Sequence, residues 1–292
     1  MPLDDTEFPA SASCIDSLRL SRRTVLAAAS AVALPAFAQS RRADGPLRMG
    51  IEGSLQASGL AQRLKDALAH DTGIGVALQP GASAALLGSL ERGELDAVIT
   101  LAPDIEEALT RQGLAYDRVG VASTEWVLVG PAPVKATRKT PASADPAGVA
   151  GFTDISSALR QIAAAGEHGE ARFIGTAEAS GARWMEQSLW KSAGPQAMGP
   201  WLQAAPPGAQ SVLALAAQTQ AYALVERGVW AAEGAGTKLA VLVQGDARQA
   251  ATYHALRGFR TNHPAGKLVL GWLSGRTGQG VVSAYGRGYR AA

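Results

Sequence analysis

Two Ser-Gly pairs stand where a strand-like segment gives way to an amphipathic helical pattern, and both pairs could bind an anion. Ser58-Gly59 precedes one such pattern and Ser180-Gly181 precedes another. The first backbone N–H groups of a helix have no partner within it, and the helix dipole adds partial positive charge there. Both serines are also predicted to be N-caps. Because the same turns build ordinary strand-to-helix connections, an anion site and a structural turn both stay open.

Residues for hydrolytic or metal chemistry do not form a recognisable set in the sequence. Neither a G-x-S-x-G motif nor an H-E-x-x-H motif occurs. The histidines are scattered and are interpreted as surface or capping residues; they are His70, His168, His254 and His263. Nothing marks a nucleophile, a base and an orienting group, so an exported hydrolase is the least favoured function. We predict no catalytic residue, no metal site and no cofactor.

Composition limits the class of protein. The chain has 292 residues, of which 47% are hydrophobic, and this is enough for one large or two modest domains. The formal net charge of +2 is too small to indicate a nucleic-acid partner. No apolar run reaches the roughly 20 residues that a membrane-spanning helix needs. The sequence therefore predicts a globular protein that does not bind nucleic acid.

The first 38 residues have the layout of an export signal. Arg22 and Arg23 precede a weakly apolar run over 27–36, and the small-x-small pattern of a cleavage site ends at Ala38. This order resembles a twin-arginine signal and predicts a periplasmic protein; a chance arginine pair in a tail is the alternative. Cys14, the only cysteine, lies before the arginine pair, so the mature chain would hold no thiol.

Strand and helix patterns alternate along the rest of the chain. Apolar runs over 96–101 and 126–129 predict buried strands of a parallel sheet that helices cover on both faces. A long helix is predicted over about 211–232. Other helix boundaries are marked by proline, capping residues or glycine, at Gly73, Gly93, Pro103, Asp154, Gly194 and Pro264.

The proline-rich segment 131–146 is predicted to be an exposed loop, and it divides the pattern into two blocks. A strand late in the chain could return to the first block. This is the layout of a two-lobed binding protein whose chain crosses between its lobes twice. One Rossmann-like domain followed by a second domain is the alternative.

Several segments resemble the tungstate-binding protein family, the periplasmic receptors of a tungstate ABC importer. The resemblance covers the mature chain, and the order and spacing of the segments are more specific than any one of them. Residues 132–144 intervene between V-G-P and D-P-A-G, which lie close together in the family. The segments include Ser58-Gly59-Leu60, Thr72-Gly73-Ile74, Gly93-Glu94-Leu95-Asp96-Ala97-Val98, Ala102-Pro103, Val129-Gly130-Pro131, Asp145-Pro146-Ala147-Gly148, Ser180-Gly181, Ala221-Tyr222 and Glu226-Arg227-Gly228.

The resemblance implies the α/β fold of a class II-like periplasmic binding protein, in which each lobe is a mixed or parallel sheet flanked by helices. A hinge of two strands would join the lobes. Lobe 1 would comprise 46–128 and 250–292, and lobe 2 would comprise 129–249 with the loop insertion 132–144. The implied function is that of an exported monomer that binds a small oxyanion between its lobes and delivers it to a membrane ABC permease.

The ligand loops of the family are partly changed in this chain. The family's T-T-T-S reads Ile51-Glu52-Gly53-Ser54, and its G-T-G becomes G-A-S, ending at Ser83. In the family's R-G-D-x-S-G-T-H the arginine is replaced by threonine, and another arginine follows seven residues on. By resemblance, the ligand site comprises Glu52, Ser54, Ser83, Thr176, Ser180 and Arg183, with Tyr222 packed nearby.

Glu52 separates two hypotheses about the ligand. A carboxylate about 4 Å from an anion costs on the order of 4 kcal/mol at an effective dielectric constant of about 20. In the first hypothesis Arg183 neutralises Glu52, or Glu52 points away, and the cleft binds a small oxyanion such as tungstate or molybdate. In the second, the pocket has changed and Glu52 pairs with a cationic group of a different small ligand.

Overall fold

A computed structural model describes residues 45–292 except 135, 137, 139–142, 195–198 and 207–210. The strands are β1 Leu47–Glu52, β2 Val76–Gly81, β3 Ala97–Thr100, β4 Ala115–Pro131, β5 Phe173–Thr176, β6 Leu202–Ala205, β7 Tyr222–Glu226, β8 Leu239–Val243 and β9 Ala250–Gly258. The helices are α1 Gly53–Ala57, α2 Leu60–Thr72, α3 Ser83–Arg92, α4 Pro103–Arg111, α5 Ile155–Glu167, α6 Gly181–Ala193, α7 Val212–Thr219, α8 Arg227–Glu233, α9 Gly266–Ser274 and α10 Arg276–Tyr285. The predicted signal residues Arg22, Arg23 and Ala38, and part of the loop 132–144, lie outside the described residues.

Strand β4 connects two groups of strands in one sheet, whose order is β2-β1-β3-β9-β4-β7-β5-β6, with β8 also paired to β4. Residues 115–125 of β4 pair with β9, whereas residues 126–131 pair with β7 and β8, all antiparallel. The chain crosses back between the groups through 244–249, where a 3-10 turn precedes β9. Parallel pairs join β1 to β2 and β3, and β5 to β6 and β7. The predicted α/β class is therefore confirmed as a mixed sheet.

The buried strands have the composition expected of a sheet that is covered on both faces. Every residue of β3, β5 and β7 is buried, in agreement with the continuous apolar runs. Leucine faces of α2 and α3 pack against the β1 side of the sheet. Among the described residues, no helix is both long and apolar enough to cross a membrane.

Most of the predicted helix boundaries are confirmed. Gly73 and Gly93 end α2 and α3 with φ of 71° and 78°, in the left-handed region that glycine adopts without strain. Pro103 is the first residue of α4. Asp154 caps α5 by accepting a hydrogen bond from Ser157 N at 2.5 Å.

The predicted N-cap at Ser58 is wrong. The N-cap of α2 is Gly59, with φ of 85°, and it makes no side-chain capping bond. The Ser58 hydroxyl instead donates to Leu55 O at 3.2 Å and accepts from Tyr289 Oη at 2.8 Å. The reason is local, because residues 53–57 form the short helix α1 and so turn Ser58 away from the start of α2.

The long helix predicted over 211–232 is also wrong. Helix α7 ends at Thr219, and Gln220 adopts a left-handed φ of 49°. After Ala221, residues 222–226 form β7, whose first residue, Tyr222, donates its N–H to Arg172 O at 2.8 Å. The apolar run of β7 fits a buried strand as well as a helix, and pairing with β4 and β5 decides between them.

Candidate functional site

Glu52 lies where the ends of parallel strands bring two helix starts together. It is the last residue of β1 and pairs in register with Gly81, so the start of α3 at Ser83 lies beside it. The side chain of Glu52 is 3% exposed. Its Oε2 accepts a short hydrogen bond from Ser83 Oγ, and its Oε1 accepts from Gly181 N at 3.2 Å. One carboxylate thus receives donors from both strand groups.

The start of α6 approaches Glu52 closely because of two features. Ser180 is the N-cap of α6, as predicted, and accepts from Arg183 N at 3.3 Å. Ala84 N in α3 donates to Ala179 O at 3.1 Å, which joins the two helix starts directly. A Cβ at Gly181 would lie 2.8 Å from the Leu101 side chain, so only glycine fits there. The N–H that an anion would use is therefore directed at the Glu52 carboxylate.

Burial changes the acidity of Glu52. Loss of solvent raises the pKa of its carboxyl to about 7, and the nearby Glu226 carboxylate acts in the same direction. The hydrogen bonds from Ser83 and Gly181 oppose this rise because they favour the charged form. Near neutral pH, Glu52 therefore exchanges between an anion and a neutral acid.

A second buried carboxylate, Glu226, closes the end of β7. It is 3% exposed, and burial raises the pKa of its carboxyl. Its Oε2 accepts from Tyr253 Oη at 2.7 Å, and Tyr253 Oη lies 2.6 Å from Ser54 Oγ. When Glu226 is ionised, the one hydroxyl proton of Tyr253 goes to Glu226, and Ser54 is then the donor to Tyr253. Glu226 Oε1 is the one buried carboxylate oxygen without a hydrogen-bond partner in the described part of the chain.

A third carboxylate, Glu186, lies on α6 behind Thr176. It is 5% exposed, and burial raises the pKa of its carboxyl. Its Oε2 accepts from Thr176 N at 3.0 Å, and its Oε1 accepts from Arg183 Nη1 at 3.1 Å. Arg183 is 38% exposed and lies one helical turn before Glu186. The arginine predicted to pair with an anion is thus paired within its own helix.

Two cavities meet at these residues. A deep cavity of about 90 Å³ has polar and apolar walls that include Ser54, Trp126, Thr176, Glu186, Leu213, Leu224, Glu226 and Val229. An open cleft of about 550 Å³ is lined by residues that include Glu52, Ser54, Glu178, Ser180, Ala182, Val229 and Glu233. Ser54, Ala182, Ser211 and Val229 line both. The described lining of the two cavities contains glutamates and neither lysine nor arginine.

The structure brings most of the predicted site residues to this region but not all of them. Glu52, Ser54 and Ser180 line the open cleft, and Thr176 lines the deep cavity. Ser83 reaches the same place through Glu52. Two of the predicted residues lie elsewhere. Arg183 lines a neighbouring groove beside Asp104 and Trp184. Tyr222 begins β7, at the end of the strand opposite Glu226. The Tyr222 hydroxyl donates to Asp145 Oδ1 at 2.5 Å and accepts from Ala147 N at 2.7 Å.

Sequence reasoning missed three residues that shape the site. Glu226 was hidden inside the predicted long helix, although the five-residue run ending there is typical of a buried strand. Glu186 looked like an ordinary polar position of α6, and Tyr253 looked like a strand residue. Glu226 belongs to a segment that carries the family resemblance, Glu226-Arg227-Gly228, but no motif marks Glu186 or Tyr253, and the meeting of the three side chains depends on the order of strands in the sheet. Among the described residues, no group of three or more acidic, histidine or cysteine side chains is placed to hold a metal.

Comparison with known proteins gives one consistent result. A family model described as a PBP superfamily domain matches residues 40–259. The tungstate-binding protein TupA of Peptoclostridium acidaminophilum is 25% identical over 256 residues, which is 85% of this chain and 84% of that protein. The structure of the tungstate ABC transporter from Geobacter sulfurreducens has a TM-score of 0.70 at 28% identity and covers 82% of this chain and 98% of that one. The tungstate-binding protein TupA of Desulfovibrio alaskensis has a TM-score of 0.65 at 25% identity, covering 82% and 94%.

These matches confirm both the family resemblance and the fold class that were predicted from the sequence. The two strand groups joined through β4 are the arrangement of a two-lobed periplasmic substrate-binding protein. Each of these relatives is named as a tungstate-binding protein or as a tungstate ABC transporter. This chain belongs to the PBP superfamily, as a divergent relative of tungstate-binding proteins.

Proposed function

We propose that this protein is an exported, periplasmic solute receptor that delivers a small molecule to a membrane ABC permease. The arrangement around Glu52 supports the proposal, since side chains and backbone groups from both strand groups meet at one carboxylate beside an open cleft. Relatives named for a role in transport, which include tungstate-binding proteins and a tungstate ABC transporter, support the same proposal. The receptor would act as a monomer, with the twin-arginine segment as its export signal.

Closure of such a receptor would use the two chain crossings between the strand groups. One crossing is β4 near residue 126, and the other is the segment 244–249. We assign 46–128 and 250–292 to lobe 1, and 129–249 to lobe 2. The bonds from Gly181 N to Glu52 and from Ala84 N to Ala179 O would then form between lobes and break when they open.

The oxyanion form of the proposal follows the relatives. The starts of α3 and α6 supply the hydroxyl and N–H donors that bind oxyanions at helix termini. In this chain both donors already serve Glu52, and the Ser54 proton is committed to Tyr253. A dianion such as tungstate would have to displace Glu52, bind with Glu52 protonated, or lie beside the ionised carboxylate at a cost of about 4 kcal/mol per charge pair.

The geometry favours the second form, in which the solute carries a cationic group. Glu52 occupies the donors that an anion would need, so the chain supplies its own carboxylate at the anion position. The described side chains that line the cleft and the deep cavity carry negative and no positive charge. We therefore propose that this protein is a receptor that binds a small cationic solute in its cleft, although several of its relatives are named as tungstate-binding proteins.

Isothermal titration with tungstate, molybdate and sulfate tests the choice, using the wild type and Glu52→Thr. The variant removes the carboxylate and restores the hydroxyl type found in the family's loop. We expect negligible heat from the wild type and tungstate affinity at least a hundredfold higher in the variant. Glu94→Thr is the matched control, because it removes an exposed glutamate that is paired with Arg92 at the surface.

Two outcomes would overturn parts of this proposal. Micromolar tungstate binding by the wild type that Glu52→Thr does not strengthen would restore the oxyanion form. Failure of Glu52→Thr to bind any of the three anions while it remains folded would remove the argument that Glu52 occupies an anion site.

A further inference from the structure

Glu226 differs from the other carboxylates of the site in having an oxygen without a partner. Both oxygens of Glu52 accept hydrogen bonds, from Ser83 and Gly181, and both oxygens of Glu186 also accept them. Glu226 Oε2 accepts from Tyr253, and the nearby hydroxyls of Tyr289 and Ser54 also favour the charged form, which lowers the pKa against the effect of burial. Oε1 itself is buried and has no donor within hydrogen-bond geometry among the described residues. A buried polar atom without a partner costs free energy, so its persistence at a cavity wall points to a ligand.

The surroundings of Glu226 Oε1 favour a ligand that donates hydrogen bonds. Ser54 gives its proton to Tyr253 and therefore offers only lone pairs to the cavity. Thr176 and the Glu186 carboxylate line the same cavity. The Glu226 and Glu186 carboxylates would repel an anion, while an ammonium group has three N–H donors and a positive charge for them. The Thr176 hydroxyl can accept a hydrogen bond from the ammonium group.

The remaining walls are apolar and suit a short hydrocarbon chain. Trp126, Leu213, Leu224 and Val229 line the cavity, and the indole of Trp126 is fully buried. Aliphatic groups gain free energy on leaving water for such walls, and an aromatic ring adds attraction for a nearby cation. The cavity of about 90 Å³ limits the part of the ligand that it can hold to a few heavy atoms.

We propose that the deep cavity binds the ammonium end of a small primary amine, with Glu226 Oε1 as its counter-charge. This inference rests on the proposed cationic solute and moves the charge pair from Glu52 to Glu226. The rest of the ligand extends past Ala182 into the open cleft, because Ala182 and Ser54 line both cavities. Glu52 then holds the two helix starts beside the ligand and does not itself pair with the amine.

Titration with propylammonium chloride at pH 7.5 tests the assignment, with 1-propanol as the neutral probe of matched shape and sodium chloride as the salt control. Glu226→Gln keeps the shape of the side chain and removes its charge. We expect the wild type to bind propylammonium and not propanol, and Glu226→Gln to bind it at least tenfold more weakly. Glu94→Gln, which removes the same charge from the surface, should bind as the wild type does.

A second variant keeps the test independent of any carboxylate. Ala182→Leu narrows the passage between the cavities without removing a charged group, and Ala182 is only partly buried, so the fold should tolerate the larger side chain. We expect propylammonium binding to weaken at least fivefold. Unfolding curves of each variant show that the protein titrated is folded.

The remaining outcomes separate this inference from the proposed function. Propylammonium binding that is lost in Glu52→Gln and kept in Glu226→Gln would overturn the role of Glu226 and leave a cationic-solute receptor. Absence of propylammonium binding in the wild type would overturn the amine assignment, and the receptor function would then depend on the anion titrations of Glu52→Thr. Equal binding of propylammonium and propanol would show an apolar pocket in which Glu226 provides no charge.

Discussion

The two ends of strand β7 carry the same chemical pair, a buried tyrosine hydroxyl on a buried carboxylate, and yet the two carboxylates differ in how many hydrogen bonds they accept. At the start of β7, Tyr222 donates to Asp145, whose oxygens also accept from Val149 N at 3.1 Å and from Ala150 N at 2.9 Å. At the other end, Tyr253 donates to Glu226, which receives no backbone N–H from the described residues. The first carboxylate is fully bonded, and the second is left incomplete.

Backbone donors account for the difference. Asp145 precedes a tight turn whose amides point back at its carboxylate, so loop 145–150 saturates it without any ligand. Glu226 stands at a strand end that lines a cavity, and the donor recorded for its carboxylate is a side chain, the Tyr253 hydroxyl. The comparison teaches that residue type alone does not separate a structural carboxylate from a binding one. The number of fixed donors around it does.

The largest effect is expected from Asp145→Ala. This change leaves the Tyr222 hydroxyl and two turn amides without their acceptor, and the carboxylate is 4% exposed. We expect a loss of about 4 kcal/mol in the free energy of unfolding, measured by urea denaturation at pH 7. Glu226→Gln at the other end of β7 should lose less than 1 kcal/mol, since no backbone donor depends on it. Equal losses at the two ends would contradict the comparison.

Glu52 supplies the pH-dependent test, because it is fully bonded yet its pKa is raised to about 7 by burial. A carboxyl of raised pKa favours the folded state when protonated, so its contribution is present at pH 4 and is lost as the pH rises through 7. Relative to the wild type, Glu52→Gln should gain about 3 kcal/mol of stability between pH 4 and pH 8.

The measurement for Glu52 is a series of urea unfolding curves at unit pH steps for the wild type and Glu52→Gln. Constant differences in packing cancel, since only the change with pH is read. Glu94→Gln is the matched control, because the pKa of Glu94 is lowered by its bond to Arg92 to about 2 and the group is exposed. A flat difference between the wild type and Glu52→Gln would show that Glu52 keeps its charge in the folded state.

Removal of single hydroxyls compares the two ends of β7 at a finer level. Tyr222→Phe leaves Ala147 N without its acceptor and Asp145 with one donor fewer, and we expect a loss of about 2 kcal/mol in unfolding free energy. Tyr253→Phe should cost about 1 kcal/mol and weaken propylammonium binding several-fold, because Ser54 and Glu226 lose their shared partner. Tyr116→Phe is the control, as Tyr116 is exposed on β4. Tyr222→Phe should leave ligand binding unchanged.

Much of the fold could be predicted from the sequence, because local signals fix the elements. Gly73, Gly93, Pro103 and Asp154 end or begin helices for reasons that lie within a few residues of each. The prediction of one long helix over 211–232 is wrong because the local signal there is ambiguous. A short apolar run fits a helix or a strand until its neighbours in the fold are known. The N-cap prediction for Ser58 is wrong because the residues before it form the short helix α1 rather than a turn.

The candidate site was predictable only in part. The approach of Ser180-Gly181 to the first loop follows from the family resemblance and from the geometry of helix starts. The sequence also identifies Glu52 as a negative charge that would oppose the binding of an anion. The sequence does not show that Glu52 accepts from Gly181 N, because these residues are 129 positions apart. Nor does it show that Glu226 faces a cavity, because the cavity forms only where Ser54, Thr176 and Glu226 meet in the fold. Arg183 was expected to contact the ligand, but in the structure it forms an ion pair with Glu186, three residues later in the same helix.

The smallest effect on stability is expected from Arg183→Met, which extends the comparison of buried carboxylates to a third one, Glu186. Glu186 is intermediate between Asp145 and Glu226, since one oxygen has a backbone donor and the other has a partly exposed arginine. Removing the arginine should cost less than about 1 kcal/mol, because a partly exposed ion pair contributes little and Glu186 takes up a proton readily. It should leave propylammonium binding within about twofold of the wild type, since proton uptake by Glu186 offsets the lost positive charge of Arg183. If Arg183 were instead an anion ligand, Arg183→Met in the Glu52→Thr background would weaken tungstate binding tenfold or more. Parallel titrations of the single and double variants with both probes therefore show whether Arg183 serves Glu186 or a bound anion.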